Sequence, residues 1–412
     1  MKESGIEWIG SIPNHWTVSR LKFCSKIDSG EMISKDEFDE HGQFAVIGSN
    51  GEIGRTNKYN NQTPVITTGR VGTVGTVQIV SNAWITDNAL IINPQVNINY
   101  LKHIIPNFDF DAMLSGTAQP LITATKLANQ HIPMPSETEQ DRIANYLDKK
   151  CAEVDALIAA KEKTNALLKE QRQSIIYEAV TKGLNLDAPM KDSGIEWIGE
   201  IPTDWDVCPI KYLLDKDHPY PIGDGDHGMI KADDYLSEGI PYIRVLNLTW
   251  GDGLNLETLV YISEEMNNRI KNSELKPNDI LIAKTGATIG KTAIVPASLP
   301  RSNTTSHVGK ITISSDHDPK FFYYVMTSSI IQTQIKMLSA MQSTRPELGI
   351  DGLRNLLTVV PPVERQREIA EYLDHQCTEL NSAITTNASV LEKLKEYRQS
   401  IIYEAVTGKI EI

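Results

Sequence analysis

A long internal repeat constrains this sequence more than any other feature. The heptapeptide SGIEWIG at 4–10 returns at 193–199, which is 189 residues further on. The decapeptide RQSIIYEAVT at 172–181 returns unchanged at 398–407, which is 226 residues further on. Ten identical residues in register do not arise by chance, so the chain contains two copies of one unit.

The two copies differ in the segments between their matched blocks. These variable segments, roughly 24–119 and 213–345, have diverged in sequence, and all the extra length of the second copy, 37 residues, lies between the matched blocks. A shared frame around two different inserts predicts one task that is performed on two different targets.

Four of the six tryptophans belong to the shared frame, at Trp8, Trp16, Trp197 and Trp205. Residues common to two halves with different targets are not expected to carry the difference in specificity. We therefore predict that these side chains lie in the core or contact other subunits, with stacking on bases as the less favoured interpretation.

Two long segments of the frame are predicted helices. The first follows Pro135 and begins with Ser136 and Glu139, whose S-x-x-E spacing is that of a capping box. Gly183 and Gly408 follow the two segments, where glycine commonly ends a helix.

A 3-4 spacing along both helices predicts a coiled coil. The simplest partner of each helix is its own repeat, and the alternative is two amphipathic helices that pack separately on their own domains. Polar Lys161 and Asn387 at seam positions either fix the register or are tolerated near solvent. The predicted apolar seam consists of Val154, Leu157, Leu168, Ile175, Leu380, Val390, Leu394 and Ile401.

The variable segments contain short apolar runs that flank glycine turns. Runs at 64–68 and 77–80 in the first copy, and at 280–283 and 292–295 in the second, predict strand–turn–strand units. The predicted fold class is therefore mixed α/β, with two globular domains and two long helices.

The glycine turns are the candidate sites for a phosphate. Glycine allows close approach of a ligand to the backbone, and exposed amides beside a cation suit an anion. The stretch 286–292 resembles a nucleotide-binding P-loop but has three residues between its glycines where that motif has four. An ordinary hairpin turn with a surface cation is the alternative. The candidate DNA-binding residues are Arg70, Gly72, Gly75, Lys284, Gly286, Gly290 and Lys291.

No pattern for catalysis or metal binding occurs in both copies. Histidines and cysteines lack zinc-ligand spacing, and the E-x-K triplet at 274–276 has no equivalent in the first copy. We therefore predict neither catalytic nor metal-binding residues. The charged start of the chain lacks an apolar signal core, and no stretch approaches the roughly 20 apolar residues of a membrane helix. The four cysteines form no CxxC pair and favour a reducing cytoplasm.

The net charge of −13 runs against simple electrostatic binding of DNA. It slightly favours a different class of function, a coiled-coil scaffold whose two inserts bind peptides or glycans. Contacts supplied by other subunits, or a local excess of positive charge on one face, would reconcile the charge with DNA binding.

The combination of motifs resembles the specificity subunits of type I restriction-modification enzymes. The tandem frame, the SGIEWIG-x-IP-x-x-W openings, the turns TGRVGTVG and KTGATIGKTAIV, and the RQSIIYEAVT closings all contribute to the resemblance, which covers essentially the whole chain. It implies a non-catalytic subunit in which each variable segment reads one half of a bipartite DNA site. It also implies that the two long helices pair in antiparallel orientation.

The resemblance implies partners as well as a domain division. The expected partners are double-stranded DNA, two methyltransferase subunits and, optionally, restriction subunits; no membrane is involved. S-adenosylmethionine and ATP with Mg²⁺ would bind to those partners, and this chain would hold no cofactor. The implied division is a target-recognition domain at 1–135, a helix at 136–183, a second target-recognition domain at 184–361 and a helix at 362–412.

Overall fold

A computed structural model describes residues 1–72, 74–115, 121–251, 253–340 and 347–412, without the side chain of Ala340. The chain divides into two compact units. Unit 1 comprises 1–162 and 389–412, and unit 2 comprises 163–388.

The elements that begin in the first copy are mostly short strands followed by helices. The strands are β1 (Lys2–Glu3), β2 (Ser11–Ile12), β3 (Thr17–Arg20), β4 (Ser25–Ser29), β5 (Phe44–Gly48), β6 (Gly51–Thr56), β7 (Val65–Gly69), β8 (Val77–Val80), β9 (Ala83–Ile85), β10 (Ala89–Pro94) and β11 (His131–Met134). The helices are α1 (Ile98–Ile104), α2 (Phe110–Met113), α3 (Ala124–Ala128) and α4 (Glu137–Lys182).

The second copy repeats this order with additional elements. Its strands are β12 (Met190–Asp192), β13 (Glu200–Pro202), β14 (Asp206–Pro209), β15 (Ile222–Asp224), β16 (Ile240–Ile243), β17 (Val260–Ile262), β18 (Ile280–Ala283), β19 (Thr292–Ile294), β20 (Asn303–Thr304), β21 (Val308–Ile311) and β22 (Leu357–Val360). Its helices are α5 (Glu264–Arg269), α6 (Pro319–Thr327), α7 (Ser329–Ala340), α8 (Ile350–Arg354) and α9 (Val363–Val406).

The same two sheets occur in each unit. A four-stranded antiparallel sheet has the order β4-β10-β7-β8 in unit 1 and β15-β21-β18-β19 in unit 2. A three-stranded sheet has the order β6-β5-β9 or β17-β16-β20, with one parallel pair in each. The pairs β7–β8 and β18–β19 confirm the predicted strand–turn–strand units. Every residue of β7 and β18 is buried; β18 is apolar throughout, whereas β7 has two apolar residues followed by Thr67, Thr68 and Gly69.

The predicted start of the first long helix is confirmed. The Ser136 hydroxyl donates to Glu139 Oε2 at 2.6 Å, and the Ser136 amide donates to the same oxygen at 3.0 Å. The Glu139 amide in turn donates to Ser136 Oγ at 3.4 Å. Gly183 and Gly408 follow α4 and α9 with φ of +74° and +69°, a left-handed conformation that ends a helix and that glycine adopts without strain.

Within each unit, the start of one long helix packs beside the end of the other. In unit 1, Ile143 and Leu147 of α4 share a buried cluster with Ala405 and Val406 of α9. In unit 2, Leu373 of α9 clusters instead with the closing residues of α4. The predicted antiparallel pairing is therefore present in both units. Two of the frame tryptophans, Trp16 and Trp205, lie in these buried clusters and are each 3% exposed, as predicted for core residues. Trp8 and Trp197 are half-buried and pack against the same clusters.

The burial pattern of the helices differs from the predicted seam at Leu157 and is shifted in the same way at Val390. Leu157 is 53% exposed, and half-buried Ile158 takes the inward position, so the spacing after Val154 is 4-3 and not 3-4. Leu391 is likewise buried beside half-buried Val390. At both places two adjacent residues are apolar, so the sequence alone does not indicate which of the two faces the other helix. The remaining predicted seam residues are buried or half-buried: Val154, Leu168, Ile175, Leu380, Leu394 and Ile401.

Much of the extra length of the second copy lies between strands that have counterparts in the first. The turn between β5 and β6 has two residues, whereas 244–259 connects β16 to β17. A second enlargement, 263–279, contains α5 and replaces the short connection 57–64. The repeated sheets thus retain their order while the connections change.

Candidate nucleic-acid interface

The glycine turn of unit 1 follows the central strand β7. The Arg70 amide donates to the carbonyl oxygen of Asn88 at 2.9 Å, and the Arg70 carbonyl accepts from the amide of Ile122 at 2.9 Å. Gly72 and Gly75 have φ of +73° and +81°, where a side chain would strain the backbone. A Cβ on Gly72 would meet no atom of the described residues within 4 Å, and with respect to them this backbone is open to close approach.

The turn of unit 2 is built in the same way. The Lys284 amide donates to the His307 carbonyl at 2.9 Å, and the Lys284 carbonyl accepts from the Leu348 amide at 2.8 Å. Gly286 has φ of +69°, and a Cβ there would meet none of the described residues, whereas Gly290, at +91°, lies against the side chain of Gln332. A short 3₁₀ turn and then strand β19 follow, so the helix that a P-loop requires at this point is replaced by a strand.

The basic residues of the two turns have different surroundings. Half-buried Arg70 donates through Nη1 to Ser29 Oγ at 3.2 Å. Lys284 is only 2% exposed and forms an ion pair with Asp224. Ser29 and Asp224 occupy equivalent positions, because they pair with Leu90 and Gly309 on the neighbouring strands β10 and β21.

The position of Lys284 changes what its turn can offer to a ligand. A buried ammonium must be paired to offset its loss of hydration, and Asp224 supplies that partner. His227 Nε2 lies 3.1 Å from the other oxygen of the same carboxylate. The cation predicted for a phosphate contact therefore lies inside unit 2, engaged with its own carboxylate, while Arg70 of unit 1 has a neutral partner.

Lys291 lies in a cleft of about 780 Å³ in unit 2. Lys169 and Arg172 of α4 also line it, and no carboxylate occurs among its described lining residues. In a chain of net charge −13, this is a local excess of positive charge. The large side chains of Leu246 and Trp250 beside it are 69% and 54% exposed. A local excess of cations suits the phosphates of nucleic acid.

Leu246 and Trp250 were not among the sequence-predicted site residues. They belong to the enlarged connection 244–259, and Trp250 is a tryptophan outside the shared frame. The available signal was the extra length of the second copy combined with this aromatic residue. The cleft itself was not predictable, because its lining comes from segments more than 200 residues apart in sequence, including Thr385 of α9.

Each unit also has a cleft in the shared frame. The cleft of unit 1, about 470 Å³, lies beside Trp16 and Glu139, and that of unit 2, about 290 Å³, lies beside Trp205 and Arg365. Glu139 accepts from Trp16 Nε1 at 3.0 Å and lies 2.7 Å from His15 Nε2. Burial acts to raise the pKa of Glu139, but hydrogen bonds from Ser136, His15 and Trp16 outweigh it and lower the pKa to about 2.

Other features of the structure bear on catalysis and membranes. Among the described residues, no group of three or more histidine, cysteine and acidic side chains is placed to hold a metal ion. Glu274 of the E-x-K triplet accepts from Arg301 and Asn267, each at 2.9 Å, and so serves local structure. In the part of the chain that the structure describes, no helix has the length and apolar character to cross a membrane.

Comparison with known proteins identifies relatives along most of the chain. The chain is 26% identical to the type I restriction enzyme EcoBI specificity subunit of Escherichia coli, over 76% of this chain and 66% of that relative. It is 25% identical to the MjaVIII specificity subunit of Methanocaldococcus jannaschii, again over 66% of the relative. The chain thus spans just under two thirds of these two proteins. The MjaIX specificity subunit of the same archaeon is 23% identical and is aligned over 95% of its length.

The fold is also found among solved structures. A chain from a structure of the type I R-M system, solved to explain complex assembly and conformational transition, aligns with 97% of this chain and all of its own length, with a TM-score of 0.65 and 15% identity. The family model described as the type I restriction modification DNA specificity domain matches 13–170 and 220–392. These two segments make up most of the sequence, and the chain therefore belongs to the family of type I restriction modification DNA specificity domains.

Proposed function

We propose that this chain is the non-catalytic DNA-recognition subunit of a type I restriction-modification complex, and that each unit reads one half of a bipartite site. The observation that carries the proposal is the repeated pair of sheets with one glycine turn at equivalent places, combined with different connections around them. Family membership supports the same function. A scaffold that binds peptides or glycans is not favoured by any of the relatives found.

We place the domains as the sequence predicts: target-recognition domains at 1–135 and 184–361, joined to long helices at 136–183 and 362–412. The antiparallel packing of α4 and α9 within each unit supports this division. Ends of both helices belong to each unit, so a recognition domain is not expected to fold without them.

DNA phosphate is the ligand that we assign to the glycine turns. In unit 1, the contact involves Arg70 with the open backbone at Gly72 and nearby Gly75. In unit 2, Lys284 is buried, and we assign the phosphate contact to Lys291 in the cationic cleft, together with Gly286 and Gly290. Local positive charge of this kind allows an acidic chain to bind DNA.

We further propose that two methyltransferase subunits bind the shared frame in the cytoplasm. Equivalent clefts beside Trp16 and Trp205 support two equivalent docking places, one on each unit. The complex reconstituted with a methyltransferase partner should contain two copies of that partner per chain by native mass spectrometry. A single bound copy at saturation would contradict paired docking. Restriction subunits would join this complex.

Sequencing of methylated DNA tests the whole proposal. Cells that express the chain with its methyltransferase should show one bipartite methylated motif, which is absent when either protein is omitted. The purified chain alone, with S-adenosylmethionine and DNA, should transfer no methyl group. A gel-shift of the reconstituted complex against excess nonspecific DNA tests the scaffold alternative, which predicts no sequence-dependent retention.

A further inference from the structure

The two copies use the same frame arginine in different ways. Arg398 of α9 forms a bidentate ion pair with Asp155 of α4 in unit 1, with Nε–Oδ1 and Nη2–Oδ2 distances of 2.7 and 3.2 Å. Arg172, its identical counterpart in the repeat, lies in unit 2, where the residue equivalent to Asp155 is Asn381. An amide carries no charge, so the ion pair of unit 1 cannot form there.

Arg172 instead contacts the backbone of the enlarged connection 244–259. Its guanidinium donates through Nη1 to the Trp250 carbonyl at 3.4 Å and through Nη2 to the Gly251 carbonyl. The Tyr323 hydroxyl donates to the same Gly251 oxygen at 2.9 Å. Arg172 is only 5% exposed, so these contacts are largely shielded from water.

Gly251 shows that the fit between this connection and α4 is close. Its φ of +93° is a conformation that favours glycine. A Cβ at this position would lie 2.8 Å from Arg172 Nη2, which is too short for a real contact. A side chain here would both strain the backbone and displace the guanidinium.

The rest of the connection is held by its own hydrogen bonds. Asn247 is fully buried and donates to the Asn255 carbonyl at 2.9 Å, and the Thr249 hydroxyl donates to the Gly253 carbonyl at 2.9 Å. A backbone bridge also joins Trp250 to the strand that follows Lys291. The backbone is thus fixed on several sides, while the Trp250 and Leu246 side chains remain exposed.

We propose that Arg172 is a positioning residue for DNA recognition by unit 2. It holds the 244–259 connection against α4, so that Trp250 and Leu246 are presented to DNA at a fixed place beside Lys291. Binding side chains on a connection need such support from a rigid element. Unit 1 has only a two-residue turn at the equivalent place, and its arginine is used within the helix pair. This inference rests on the proposed function.

Two substitutions in unit 2 test the inference. Arg172→Met keeps an unbranched apolar side chain in place of the arginine stem but removes the guanidinium and its donors. Asn381→Asp leaves Arg172 in place and supplies the carboxylate that unit 1 has, so it should draw the guanidinium away from the connection. The matched controls are Arg398→Met and Asp155→Asn, which break the ion pair of unit 1.

Two measurements separate positioning from general stability. Amide hydrogen exchange of the complex with its methyltransferase subunits should accelerate at 244–259 in both unit 2 variants and in neither control. In cells, discrimination at one half-site should fall on the order of tenfold, the effect of losing one base preference, while the other half-site stays sharp. Asn381→Asp keeps the test decisive if Arg172→Met does not fold.

Each contrary result has a definite meaning. Faster exchange at 244–259 with two unchanged half-sites would overturn the recognition role of Arg172. Equal loss at both half-sites would show general destabilisation and would also overturn it. A wild-type complex that methylates no bipartite motif would refute the proposed function itself. Amide hydrogen exchange at 244–259 would still decide whether Arg172 holds the connection.

Discussion

A single partner residue determines whether the cation after the central strand is available to a ligand. Arg70 and Lys284 occupy equivalent positions, yet one lies beside the neutral Ser29 and the other beside the charged Asp224. The ion pair moves the lysine inward, because two opposite charges are better tolerated in a buried place than one. The same backbone turn therefore offers a side-chain cation in unit 1 and mainly its amides in unit 2.

This difference predicts that two alanine substitutions affect different properties, DNA binding in unit 1 and stability in unit 2. Arg70→Ala should weaken DNA binding about equally across sequences and lower the salt dependence by about one phosphate contact. Lys284→Ala should leave Asp224 buried without its cation and destabilise unit 2 by about 3–5 kcal/mol. Gel-shift titrations at several salt concentrations and denaturant unfolding measure the two effects.

Lys291→Ala serves as the control for Lys284→Ala, because its side chain lines the open cleft of the same unit. It should reduce the salt dependence of binding with little change in stability. If Lys284→Ala lowered the salt dependence while leaving the unfolding transition in place, the buried ion pair would not describe the complex with DNA.

The low pKa of Glu139 predicts that the folded chain loses stability in acid. Its pKa of about 2 lies below the ordinary value of 4.5, so its ionised form stabilises the folded chain above about pH 4.5. That contribution is lost as the pH falls toward 2. Glu139→Gln should therefore lower the thermal midpoint at pH 7, and the difference from the wild type should shrink by pH 3. A difference that stays constant over this range would assign the effect to packing.

At the scale of elements, the bounds of the long helices and central strands were easier to predict from the sequence than the contacts that these elements make. Apolar runs bounded by glycine placed β8 and β18 at their observed bounds, and the capping box placed the start of α4 within one residue. The seam was predicted one position early at Leu157, because Leu157 and Ile158 are both apolar. The pairing of Lys284 with Asp224, 60 residues away, depends on strand register that local sequence does not determine.

The corrected seam is testable with two adjacent alanines. Ile158→Ala should destabilise unit 1 by roughly 1–2 kcal/mol, since a half-buried aliphatic side chain is lost. Leu157→Ala removes an exposed side chain and should change stability by less than about 0.5 kcal/mol. Alanine favours helix at both positions, so a difference in stability between the two variants reports the lost side-chain packing and not helix propensity. Equal losses in denaturant unfolding would contradict the 4-3 spacing.

At the scale of the whole molecule, each unit combines parts of both copies. The opening block of the first copy packs on the end of α9 in unit 1, and that of the second copy packs on the end of α4 in unit 2. The variable segments are attached to these frames at matching points. Gln140 and Gln366 accept from the amides of Asn97 and Asp318 at 3.2 and 2.8 Å. A repeated attachment makes an insert replaceable without change to the frame.

Replacement of 24–119 by the corresponding segment of a relative should therefore change one half-site and leave the other intact. The donor segment should retain hydrogen-bonding residues equivalent to Asn97 and to His103, which lies 2.9 Å from Asp148 of α4, so that the frame of unit 1 is preserved. The readout is the methylated motif in cells that express the exchanged chain with its methyltransferase. The reciprocal exchange of 213–345 is the control, and it should alter the opposite half-site. A change in both half-sites from either exchange would mean that the units do not read DNA independently, and the division of recognition between them would have to be abandoned.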